Sequence, residues 1–290
     1  GEAAVARRSL WLANGVNILL DPCFIFGLGP FPEMGVTGAA VATTIGRGIG
    51  VAYQLWYLLR GSGRLEFRLP HLRFIPALAW RLMRISFGGV GQFLIATASW
   101  IGVMRIVAMF GSPAIAAFTI ALRAMEFIFL PAWGLGNAAA TLVGQNLGAG
   151  KPERAEQSAW KAAKYNAVFM ACAGVLLVVF AETITGWFTT EADVLRVGTS
   201  CMQILGAGFP MYAVGMVVVQ AMNGAGDTET PMTLNLVSFW LVQIPLAFVL
   251  ATMTGLGPNG AFTAIVVGES LLTVLSVIVF RRGGWKTHAA

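Results

Sequence analysis

The sequence predicts an all-α polytopic membrane protein with eight transmembrane helices. Three observations lead there: the scarcity of charge, the length of the apolar runs, and the uneven distribution of Lys and Arg between them. Of the 290 residues, 57% are hydrophobic and only 11% charged, and the mean hydropathy is +0.74. A water-soluble domain carries about 25% charged residues, so most of this exterior is expected to face lipid. The net charge of +6 would also suit a nucleic-acid binder, but the charges lie in short loops between apolar runs. That is membrane topology, not a basic groove.

Eight runs reach the length of about 20 residues that a bilayer requires. They lie near 9–27, 35–59, 82–110, 114–144, 159–187, 195–222, 231–254 and 258–280. The breaks carry turn chemistry: GLGPFPEMG, GSP, GAGKPE, TTEAD, GAGDTETP and GLGPNG. Residues 61–81, GSGRLEFRLPHLRFIPALAWR, interleave basic and apolar side chains. Such a segment suits a helix lying in the interface against anionic lipid, and we read it as a linker.

Counting Lys and Arg by side orients the chain. Arg7 and Arg8, the six arginines from Arg60 to Arg84, Lys151, Arg154, Lys161, Lys164, Arg281, Arg282 and Lys286 fall on one side, 15 of the 19 basic residues. The other side receives only Arg196, together with Asp21, Glu33, Glu182, Glu191 and Asp193. Both termini of this chain are therefore expected in the cytoplasm, with the protein in a bacterial inner or cell membrane.

An internal repeat organises the chain. Shifted by 222, Gly35, Gly38, Ala39, Ala42, Gly46, Arg60 and Gly61 align with Gly257, Gly260, Ala261, Ala264, Gly268, Arg282 and Gly283. The matched hairpins lie six spans apart, and parallel six-span repeats with a site between the halves are a transporter plan. The expected division is residues 1–60 as the last two helices of a first lobe, 61–81 as the linker and 82–290 as a six-helix second lobe. Four spans are then expected upstream of Gly1.

Ionisable residues inside spans are costly and commonly functional. Arg123 and Glu126 are three apart and share a helix face; they read as a site for a cation, proton or substrate, or as a structural ion pair. Arg47 and Glu269 occupy equivalent repeat positions, each after a glycine. Glu269 reads as a proton-titrating or cation-binding group, or as the partner of an arginine such as Arg47 or Arg123. Among neutral polar residues, Gln220 and Asn223 are spaced i, i+3, and Asn137, Asn235 and Gln243 stand alone. In a bundle such groups join helices more often than they bind ligands. Gln92, after the run Gly88-Gly89-Val90-Gly91, is the best cavity candidate in the third span. Met125, Phe127, Phe129, Trp133, Phe209, Met211 and Tyr212 either line a plastic pocket for bulky apolar cations or simply pack.

Enzyme readings fail on residues. GQNLGAGK has Gln145 where a P-loop needs glycine and Pro152 where it needs Ser or Thr. His71 and His288 both lie outside the spans. Cys23, Cys172 and Cys201 form no CxxC or Cys/His spacing, so neither a metal nor a disulfide framework is expected.

Four stretches resemble the multidrug and toxic compound extrusion (MATE) transporters. They are NILLDPCFIFGLGPFPEMGVTGAAVAT at 17–43, LPAWGLGNAAATLVGQNLGAGKPERA at 130–155, NGAGDTETPM at 223–232 and GPNGAFTAIVVGE at 257–269. The resemblance implies two six-helix lobes and export of organic cations and other xenobiotics in exchange for protons or sodium. It implies alternating access, a small-molecule substrate that is cationic and amphipathic, and membrane lipids as partners. It implies no cofactor beyond the coupling ion and no nucleic acid. Some members carry a cation-binding Glu in the first helix of the second lobe and an Asp in its fourth. Here Gln92 and Tyr212 stand in those two spans, which contain no acid. The substrate and ion candidates are thus Arg123, Glu126, Glu269, Gln92, Arg47, Gln220, Tyr212 and Asn137. A two-lobed flippase or exporter of a lipid-linked or anionic substrate is the alternative.

Overall fold

Apolar runs of this length place every backbone N–H and C=O inside lipid, where only a helix or a closed barrel can satisfy them. The computed structural model, which describes residues 3–60 and 75–287, resolves the runs as helices. They are α1 (Ala3–Phe26), α2 (Gly35–Leu59), α3 (Pro76–Ala108), α4 (Ser112–Gly148), α5 (Pro152–Gly186) and α6 (Ala192–Gly224), followed by α7 (Glu229–Asn235), α8 (Ile244–Thr252) and α9 (Pro258–Arg282). A π-helical stretch, Leu236–Gln243, joins α7 to α8 as one rod. A 3-10 turn, Gly284–Thr287, follows α9. Among the described residues eight rods therefore stand where eight spans are expected, and seven of them are long and apolar enough to cross a membrane. The exception is α2, whose glycines, threonines and Arg47 dilute its hydropathy. The protein is an integral membrane protein. Helix α3 begins at Pro76, inside the 61–81 segment; residues 61–74 of that segment, His71 and His288 lie outside the described residues.

Prolines and glycines set the helix ends. Pro113, Pro152 and Pro258 occupy first turns, where a missing N–H costs nothing. Gly283 ends α9 in the left-handed region at φ 77°, which lets the chain turn back. Pro245 explains the π-helix: its ring clashes with the carbonyl four residues earlier, and the preceding turn widens.

The chain forms two compact units, Gly1–Pro76 and Ala77–Ala290. In the first, α1 and α2 pair through small residues, Gly38, Ala42, Gly46 and Gly50 being buried on α2. A Cβ on Gly46 would stand 2.8 Å from the Ala13 carbonyl. Ser9 Oγ donates to the Gly50 carbonyl at 2.9 Å, and Gln54 Nε2 donates to Ser9 Oγ at 3.0 Å.

In the second unit the core runs between α3, α4, α5, α6, α8 and α9. Trp100, Phe118 and Phe262 stack in sequence, with centroids 6.1 and 5.5 Å apart. Gly174 and Gly206 let α5 and α6 approach backbone to backbone, and Gly144 and Gly224 do the same for α4 and α6. Outside this core, Phe93, Phe127, Val175 and Leu241 are exposed. An apolar exterior around a core of small residues is the arrangement lipid favours. Cys23, Cys172 and Cys201 are free thiols.

Candidate functional site

A cavity of about 410 Å³ opens in the second unit, within the range of small-molecule sites. Helix α3 contributes Gln92, Ala96 and Trp100, and α4 contributes Trp133. Tyr212, Met216, Gln220 and Asn223 come from α6, and Glu269 and Leu272 from α9. The α7–π rod adds Asn235 and Phe239. Spacings of four (92, 96, 100) and of three or four (212, 216, 220, 223) put each group on one helical face.

One wall is an amide chain. Gln92 Nε2 donates to Asn223 Oδ1 at 2.9 Å and to the Thr228 carbonyl at 3.0 Å. Asn223 Nδ2 donates to Gln92 Oε1 at 3.2 Å and to Gln220 Oε1 at 3.0 Å. Gln220 Nε2 then donates to Asn137 Oδ1 at 3.1 Å. Four side chains thereby tie α3, α6 and α4 together, and their amides are largely occupied by one another.

Aromatic side chains and the cavity's carboxylate complete the lining. Tyr212 packs on Phe129 with centroids 5.2 Å apart, and Glu269 is half-buried on α9. Thr273, one turn further, donates to the Met211 carbonyl at 2.9 Å and fixes α9 against α6. Asn235 is buried, and its Oδ1 has no hydrogen-bond partner among the described residues. Gln243 Nε2 donates to Ser99 Oγ at 3.3 Å. Gln243 packs against Gly268, where a Cβ would stand 2.6 Å from its Oε1.

A second cavity, about 430 Å³, shares Trp100, Trp133 and Tyr212 with the first and is also lined by Phe129, Met104 and Glu126. Arg123 Nη1 lies 3.9 Å from Glu126 Oε2, and both side chains are mostly exposed in this unit. An aromatic partition with a carboxylate on either side can bind a cation through ring faces and charge together.

The sequence candidates thus divide into groups. Gln92, Gln220, Tyr212 and Glu269 line one cavity, and Asn137 joins them through Gln220. Glu126 lines the neighbouring cavity with Arg123 beside it. Arg47 is exposed on α2 of the first unit. Trp100 lines both cavities, and its spacing of eight from Gln92 is the one signal for it in the sequence.

The MatE family model matches residues 90–249, more than half of the chain. A multidrug resistance protein NorM from Burkholderia vietnamiensis is 30% identical over 298 residues, covering 98% of this chain and 61% of the relative. A probable multidrug resistance protein NorM from Thermotoga maritima is 28% identical, covering 96% of this chain and 60% of the relative. The chain therefore spans about 60% of the length of these curated relatives. A crystal structure of MATE in the bent conformation superposes with a TM-score of 0.88 at 21% identity, covering 100% of this chain and 64% of that one.

Proposed function

Since the chain belongs to the MatE family, we propose that it acts within an ion-coupled antiporter that exports organic cations by alternating access. In this reading residues 1–60 are the last two helices of the first lobe, 61–81 the cytoplasmic linker and 82–290 the second lobe. Both termini of the chain face the cytoplasm of a bacterial inner or cell membrane. The observation that carries the reading is the cavity wall in which Glu269 stands among Trp100, Trp133 and Tyr212. Aromatic faces bind a bulky cation with little demand on its shape, and a carboxylate in low dielectric adds charge selectivity.

Glu269 is the group through which ion and substrate compete. A proton, or a sodium ion assisted by the free oxygen of Asn235, neutralises the carboxylate and releases the organic cation. The amide chain Gln92–Asn223–Gln220–Asn137 holds α3, α4 and α6 as one body while the lobes rock. Arg123 occupies Glu126 until a substrate cation displaces it. The substrate is a small molecule, cationic and amphipathic, and no cofactor other than the coupling ion, proton or sodium, takes part.

Accumulation of a cationic dye in cells expressing the full chain tests this reading. Expression is expected to lower steady-state dye, and collapse of the proton and sodium gradients to restore it. Unchanged accumulation under both gradients contradicts the reading.

A further inference from the structure

The two ends of the second unit's basic chemistry meet at one corner. Helix α5 has 35 residues, about 52 Å at 1.5 Å per residue, against an apolar bilayer core of about 30 Å. Its surplus lies in the first turns, where Arg154, Lys161 and Lys164 are exposed. Spacings of seven and three put them on one face, opposite the buried line Ala155, Ala159 and Ala163. The same exposed face continues directly into Tyr165 and Val168.

The end of α9 is fastened beside this stripe. The Trp160 ring meets Phe280 edge-on at 5.7 Å, and the Arg281 guanidinium sits over Trp160 at 5.6 Å. After the left-handed Gly283 the chain folds back. Trp285 then stacks on Phe280 at 4.5 Å, and its Nε1 donates to the Phe280 carbonyl at 2.8 Å. Lys286 pairs with Glu156, so the nearest carboxylate is already neutralised. Glu153 lies eight residues before Lys161 on the helix, about 12 Å back. Arg154, Lys161, Lys164, Arg281 and Arg282 remain as exposed cations at these two helix ends, with Arg281 over the half-buried Trp160.

We propose that this corner binds the headgroup of an anionic phospholipid. The phosphate would sit between Lys161, Lys164 and Arg281, and the acyl chains would run down the Tyr165–Val168 face of α5. Cations placed where an apolar helix face begins match a lipid whose charge sits directly above its chains. A soluble anion would gain nothing from that face. On the sidedness proposed above, the lipid belongs to the inner leaflet.

Native mass spectrometry of the purified full chain in detergent tests the site, with phosphatidylglycerol and phosphatidylcholine of identical chains as probes. Phosphatidylglycerol is expected to be retained at least about fivefold over phosphatidylcholine. Lys161→Gln and Lys164→Gln should each lower that preference about fivefold, and the corresponding Arg variants should keep it. Arg196→Gln, at the Asp193 pair far along the chain, should leave it unchanged. Elution volume and melting point without added lipid check that each variant folds. No preference in the wild type, or a preference untouched by the Gln variants, overturns the site. Equal retention of inorganic phosphate would make it a simple anion site and overturn the lipid assignment. The readout is lipid retention, so its failure leaves the transport reading intact.

Discussion

Gly268 shows how strictly single residues are placed around the cavity. It precedes Glu269 and lies against Gln243, whose Oε1 and Cβ would stand 2.6 and 2.8 Å from an added Cβ. Gly268→Ala is expected to destabilise the protein by roughly 1–3 kcal/mol, the usual cost of overpacking. It should also lower substrate affinity, because α9 must shift and carry Glu269 with it. Thermal melting in detergent and dye binding would check both; an unchanged melting point would contradict the packing. The site was partly legible at this scale. Gln220 and Asn223 stood out as an i, i+3 pair, and Glu269 as a carboxylate in an apolar run. Their meeting with Gln92 and Asn137, 131 and 83 residues away, depends on how helices pack, which no local spacing records. Trp100 was hidden because an aromatic in an apolar span looks the same whether it faces lipid, core or cavity.

The elements were legible in number and approximate limits, because apolar length and Gly/Pro punctuation are local signals. The π-helical stretch was not. Its period departs from 3.6 through Pro245, and a run whose only polar side chains are Ser238 and Gln243 carries no polar stripe to report the change. The fold-back after α9 was equally silent, since GGWKT reads as an ordinary tail. In the structure Trp285 is 1% exposed, stacked on Phe280, with its indole N–H satisfied. Trp285→Ala is expected to lower stability by roughly 3–5 kcal/mol, as for other buried aromatic truncations. It should also loosen the end of α9 from α5, which hydrogen exchange at 280–287 would register. Loss of stability without faster exchange there would place the effect elsewhere.

For the whole molecule, charge asymmetry predicts sidedness more directly than any packed contact, because Lys and Arg bias insertion. In a background with Cys23, Cys172 and Cys201 replaced by serine, a cysteine at Lys151 should be shielded from an impermeant maleimide in intact cells. One at Arg196 should react. The reverse pattern would invert the topology and with it the direction of transport. A division into lobes was legible only as an expectation, through the 222-residue repeat that relates α2 to α9 in sequence, and it stands as a proposal. The cavity was not legible, because its lining is gathered from five rods, with α4 contributing Trp133 alone.

The central claim is that Glu269 couples an ion gradient to movement of an organic cation, and proteoliposomes containing the full chain and its Glu269→Gln variant test it most directly. The wild type should drive a cationic dye against its concentration under an imposed proton or sodium gradient. Glu269→Gln should abolish that accumulation while keeping dye–dye exchange without a gradient, since the aromatic walls remain. Gradient-driven accumulation that persists in Glu269→Gln would contradict the account.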